Sequence, residues 1–96
     1  GANLQGINLL WADLEEANLS FANLHEANLF HASLRKANLQ GINLANAYLE
    51  MANLSFANLQ GANLKGAFLR GALHKESNLH GAILQEAEVA RSGSKN

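Results

Sequence analysis

ANLSFANLHEANLFHASLRKANLQG, residues 17–41, is one short phrase written five times. Each phrase runs Ala, a polar residue, Leu and then two places that vary. Read outward from Ala17 in both directions, the phrase continues as eighteen consecutive units from Ala2 to Arg91 with no insertion. The third place is Leu sixteen times, from Leu4 to Leu84, with His74 and Val89 as the exceptions. The first place is Ala except at Ile7, Ile42 and Ser77.

Composition points toward helix, because Ala, Leu, Gln and Glu are good helix formers and β-branched residues are confined to Ile7, Ile42, Ile83 and Val89. The period overrules it. Five steps of an α-helix turn through about 500°, so successive Leu side chains would fall about 140° apart and form no stripe. A flat strand also fails, since side chains alternate with period two and every second Leu would flip to the other face. A coil that changes direction once per unit satisfies the pattern. Ala and Leu lie two apart and point to one side of a short extended segment, with the residue between them pointing outward. The last two places turn the corner, in keeping with Gly6, Gly41, Gly61, Gly66, Gly71 and Gly81 at the fifth place. Stacked coils of this type make a solenoid with a continuous apolar interior.

The tandem A-[DN]-L-x-x pattern over residues 2–86 resembles the pentapeptide-repeat proteins. That resemblance implies an all-β fold, a right-handed quadrilateral parallel β-helix with four units per coil and about four and a half coils here. It suggests a cyanobacterial origin and a non-enzymatic structural or protein-interaction scaffold. Some relatives imitate duplex DNA and modulate DNA gyrase. Such mimicry calls for a long, strongly acidic rod, and a net charge of −1 on 96 residues disfavours it.

The same charge balance, 7 Lys and Arg against 8 Asp and Glu spread along the chain, provides no basic stripe for nucleic acid. With 48% apolar residues the chain can fill one domain, expected over residues 1–91, with 92–96 as a flexible tail. Absence of Cys excludes disulfides and thiolate metal sites. No apolar run approaches the roughly 18 residues of a membrane span and no signal peptide precedes the repeats, so a cytoplasmic protein without membrane contact is expected. The chain opens at Gly1, already in register and without Met, which suggests a processed or cut N-terminus.

Four units per coil would stack residues twenty apart. Asn18, Asn38, Asn58 and Asn78 then form a ladder of amides, a structural device; ice binding is discounted because Thr is absent and Ser20 and Phe21 border the ladder. Glu15 over Arg35, Glu16 over Lys36 and Glu50 over Arg70 would pair charges. The second face gathers Leu10, Trp11, Phe30, His31, Tyr48, Met51 and Phe68, a patch suited to a protein partner or a homodimer, or to aromatic packing along the rod. Open coil ends offer a second place for such a partner.

His74 stands where Leu belongs. A buried neutral imidazole needs a hydrogen-bond partner, so we expect either a local bulge that turns His74 outward and Leu73 inward, or a bond to backbone. His25, His31 and His80 fall in other columns, so no metal site is expected, and convex faces without a cleft argue against catalysis or a cofactor. At the end, AILQEAEVAR (82–91) drops the Asn and carries good helix formers, which admits a short capping helix.

Overall fold

A computed structural model describes residues 1–89, with the side chain of Val89 left aside. Parallel bridges join each second place to the one twenty residues on, from Asn3 with Asn23 through Asn63 with Ile83. Two short strands, β1 (Phe68–Leu69) and β2 (Glu88–Val89), continue that register, Phe68 facing Glu88 and Leu69 facing Val89. Twenty residues therefore make one coil, and four five-residue units make its four sides.

A single unit, residues 22–26, explains why the chain repeats. Ala22 N–H donates to Leu19 C=O at 3.1 Å and closes the corner before it. Asn23 N–H donates to Ala2 C=O in the coil below, while Leu24 and Glu26 N–H donate to Asn43 and Ala45 C=O in the coil above. His25 N–H has no backbone acceptor in this scheme, and the Asn23 side-chain oxygen takes it at 3.0 Å. All five donors of the unit are then satisfied, which a buried backbone requires. Every Asn or Asp at a second place, from Asn3 to Asn78, accepts the N–H two residues on. This Asx turn, more than the amide ladder, is the task of the second place.

The corners carry backbone strain. A bond from first-place N–H to the C=O three residues back, with φ > 0 at the fifth place, is the pattern of a type II turn. Gly meets it freely, but Trp11, Glu16, Phe21, His31, Lys36 and Glu76 are among the non-Gly residues held there, at φ between 53° and 64°. We expect Glu76→Gly to raise stability by ~0.5–1 kcal/mol, as measured by thermal or urea unfolding, because the Cβ penalty disappears while Gly entropy offsets part of the gain.

The core runs from Ala22 to Ala67, with Leu24, Leu29, Leu39, Leu44, Leu49 and Leu59 fully buried beside the first-place Ala residues. Toward either end the same columns become half-buried, at Leu4, Leu9, Leu14 and Leu19 on one side and Leu69 and Leu79 on the other.

Four expectations need correction. His74 causes no bulge: Asn53 still bridges Leu73, Leu73 points outward at 58% exposed, and His74 keeps its third place. His74 is exposed there, and its C=O takes Ser77 N–H and Oγ at 3.2 and 3.0 Å. Residues 82–89 form no helix. Glu86 repeats the φ > 0 corner, and Ile83 and Glu88 N–H reach Ala62 and Ala67 C=O, so the waiting edge of the previous coil outweighs helix propensity. Residues 90 and 91, and the expected tail at 92–96, lie outside the described residues. Among the three charge pairs, Glu15 and Arg35 close to 3.0 Å; the other two make no ion pair among the described residues, as suits exposed charges of small energetic value. The amide ladder is also displaced: Asn23 to Asn3 and Asn43 to Asn23 bond at 3.3 and 3.2 Å on the first face, whereas the expected column bonds only at Asn78 to Asn58, 3.5 Å.

Candidate protein-interaction face

The second face comprises residues 7–11, 27–31, 47–51 and 67–71, stacked by the bridges Asn8 to Asn28, Asn28 to Tyr48 and Tyr48 to Phe68. Its expected residues form two aromatic groups. At the N-terminal side Trp11 lies flat on His31, centroids 4.0 Å apart and planes within 4°, and Phe30 meets His31 edge-on at 4.9 Å. At the C-terminal side Tyr48 and Phe68 stack at 5.1 Å with planes again within 4°. Offset and edge arrangements of this kind are worth ~0.5–1.5 kcal/mol beyond the area they cover.

Between the groups runs a shallow groove of about 370 Å³ lined by Leu10, Asn28, Phe30, Tyr48 and Glu50. Trp11 stays 64% exposed and Leu10, Tyr48 and Met51 nearly half exposed despite the stacking. Met51 sits apart in role, since its sulfur occupies the space a Cβ on Gly71 would need. The Met51 side chain is flexible and exposed enough to swing aside, so the demand for Gly at 71 comes from its φ of 72° at the turn.

Two further exposed rings were not among the expected face. Phe21 covers Gly41 on the fourth corner, and Phe56 is flanked by Arg35 at 5.5 Å and Lys75 at 6.0 Å on the third. Each has a local partner that accounts for it.

The sequence does carry a signal for the face, at the second place. Tyr48 and Phe68 replace Asn in successive layers of one column, so the N–H groups of Glu50 and Arg70 lack the side-chain acceptor that the Asn and Asp units supply, as also happens after Ser33, Leu73 and Ile83. What sets this column apart is that the replacements are aromatic and adjacent. Each replacement gives up a hydrogen bond of ~0.5–1.5 kcal/mol, and here two such losses in one column accompany a pair of stacked, outward rings.

The histidines remain dispersed. His25 lies 3.4 Å from the amide nitrogens of Gln5 and Asn46 and 3.7 Å from Glu26, while His74 joins core leucines around a recess of about 440 Å³ at the C-terminal end. Among the described residues no three His, Cys, Asp or Glu side chains are grouped to hold a metal ion. No helix of the described residues is long and apolar enough to cross a membrane.

Five-residue units, four to a coil and bridged at twenty-residue spacing, define a pentapeptide-repeat protein. The profile described as pentapeptide repeats matches residues 1–29, 27–66 and 52–88 with eight copies, and the chain belongs to that family. Among solved structures it is similar to a pentapeptide repeat protein of the Arabidopsis thaliana thylakoid lumen, 31% identical with a TM-score of 0.87 over 96% of this chain and 67% of that one. It is also similar to Rfr23 from the cyanobacterium Cyanothece 51142, 43% identical with a TM-score of 0.73 over 94% of this chain and 58% of that one. HetL, involved in heterocyst differentiation regulation in Nostoc sp. strain PCC 7120, is 38% identical with a TM-score of 0.75 over 98% of this chain and 43% of that one. The chain thus spans between 43% and 67% of these relatives. No curated protein sequence matches it significantly.

Proposed function

We propose that the protein is a non-enzymatic scaffold that binds another protein through its second face. The observation that carries this reading is the outward Tyr48–Phe68 stack, two rings in successive layers of one column at a place where twelve of the eighteen units put a turn-closing Asn or Asp. Large flat rings with little conformational freedom are the side chains that protein interfaces favour. A relative involved in regulating heterocyst differentiation offers a precedent for a regulatory task. Alongside this we propose the right-handed coil of the family, a single unit over residues 1–91, and the cytoplasm as its compartment, the lumenal Arabidopsis relative being the contrary precedent.

Replacing Trp11 and Phe30 together by Ala removes both rings that enclose His31 without touching a buried Leu. The expected outcome is at least about tenfold weaker retention of a protein partner in affinity capture, with the unfolding midpoint close to wild type. Unchanged retention would remove the face as the binding surface. A collapsed midpoint would show that the rings hold the coil together.

A further inference from the structure

We infer that a second copy of this chain packs on the second face with its coil axis reversed, so that layers 47–51 and 67–71 of one protomer lie on layers 67–71 and 47–51 of its partner. The inference rests on reading that face as a protein-binding surface, and names the occupant.

The argument begins with what a two-fold axis does to this face. An axis lying in the interface along the short extended segments preserves place and reverses layer order. Second places then meet second places, and fourth places meet fourth. Set between the third and fourth layers, it lays Tyr48 on Phe68 and Glu50 on Arg70, and symmetry repeats both contacts. Asn28, one layer further out, meets the carboxylate of Glu88 in the same column.

Charge selects this register. Glu50 and Arg70 occupy adjacent layers of one column, as shown by His31 N–H on Glu50 C=O at 3.0 Å and Met51 N–H on Arg70 C=O at 2.9 Å. Yet they close no ion pair with each other among the described residues, whereas Glu15 and Arg35, in the same relation on the third face, do so at 3.0 Å. Arg70 is exposed and Glu50 half-buried, so both charges are available to a partner. Moving the axis by half a layer sets Glu50 on Glu50 or Arg70 on Arg70. Moving it a whole layer toward the N-terminus sets Glu50 on Phe30 and Arg70 on Leu10, covering charges with apolar groups. Both alternatives are penalised by the same residues that favour the proposed register.

The face is narrow. Four layers at ~4.8 Å reach about 20 Å, short of a standard interface, so dissociation in the range of about 10–100 µM or weaker is expected.

Sedimentation of the intact chain between about 1 µM and 1 mM tests this, with Glu50→Arg, Arg70→Glu and the double variant. Wild type should dimerise, and each single variant should associate at least about tenfold more weakly, since each sets like charges together twice. The double variant should recover, and an equimolar mixture of the two single variants should form heterodimers. Recovery on mixing cannot arise from a pair within one chain. Should a charge reversal disturb folding by circular dichroism, Glu50→Gln and Arg70→Gln carry the test, each weakening the dimer by a smaller factor. A wild type that stays monomeric throughout overturns the inference, as does a dimer insensitive to these changes or single variants that fail to complement. A monomer whose capture of another protein still depends on Trp11 and Phe30 would leave the reading of the face intact while removing the second copy.

Discussion

Leu34→Ala is expected to destabilise the protein by ~2–5 kcal/mol and lower Tm by at least about 8 °C. Leu34 is 1% exposed in the second coil, between Leu14 and Leu54 in its column and beside the first-place Ala residues. Those Ala side chains are too short to swing into the space left behind, and the backbone around it is tied at both edges, by Ser33 N–H to Ala12 C=O and Leu34 N–H to Asn53 C=O. The cavity therefore stays open, and the cost lies toward the upper part of the range for buried Leu. Leu84→Ala supplies the contrast. It occupies an equivalent third place but is 45% exposed, so truncation should cost less than about 1 kcal/mol. Urea unfolding of the two variants under identical conditions checks both figures. Equal effects would mean that burial does not rise toward the middle of the stack as described.

Asn53→Ala is expected to cost ~1–3 kcal/mol although it deletes only an outward-facing amide. Its oxygen accepts the N–H of Ser55 at 3.0 Å, and Ser55 is the one polar residue among the described residues that is buried. Without that acceptor a donor is left unpaired where water reaches it poorly. Asn53→Asp retains an oxygen in the same place and should recover most of the loss, since Asp13 already accepts Glu15 N–H at 3.1 Å in the same column. Unfolding energies for the two variants, together with faster hydrogen exchange at Ser55 in the Ala variant alone, check the assignment. Similar losses in both would show that Asn53 acts through its amide nitrogen or its bulk instead.

These two positions also separate what periodicity reveals from what it hides. Spacing alone places Leu34 inward, because no helix or flat strand brings every fifth residue to one side, and its burial follows. The same spacing sends the second place outward and suggests a ladder of amides, which forms only in part, while its main task, the Asx turn, does not show in the spacing. Which backbone donor lacks a partner is known only after the other four in the unit have been paired with the coils above and below. The second face shows the same division. Trp11 and His31, or Tyr48 and Phe68, are twenty residues apart and become neighbours as soon as the coil length is known, so the patch was legible once the family resemblance supplied four units per coil. Its separation into two stacks with a groove between them was not, because ring orientation depends on adjoining layers.

His74 and residues 82–89 mark the opposite limit. His74 suggested a bulge to the extent that a full coil was assumed to cover it, and helix formers near Ala87 suggested a cap to the extent that local propensity was assumed to govern. In the folded chain His74 is exposed without any bulge, and the edge left by residues 62–68 directs the next segment, residues 82–89, into another coil through bonds already waiting for it.

Sequence alone determined the five-residue step and which side chains face the axis, because those depend on spacing and on the directions a backbone can take within a few residues. The tertiary structure decided which donors need the Asn oxygen, which stacked charges close, how the rings lie, and whether an odd residue is covered. Each of these depends on the coil above or below, twenty residues away in the chain, and a local pattern carries no record of that neighbour's geometry.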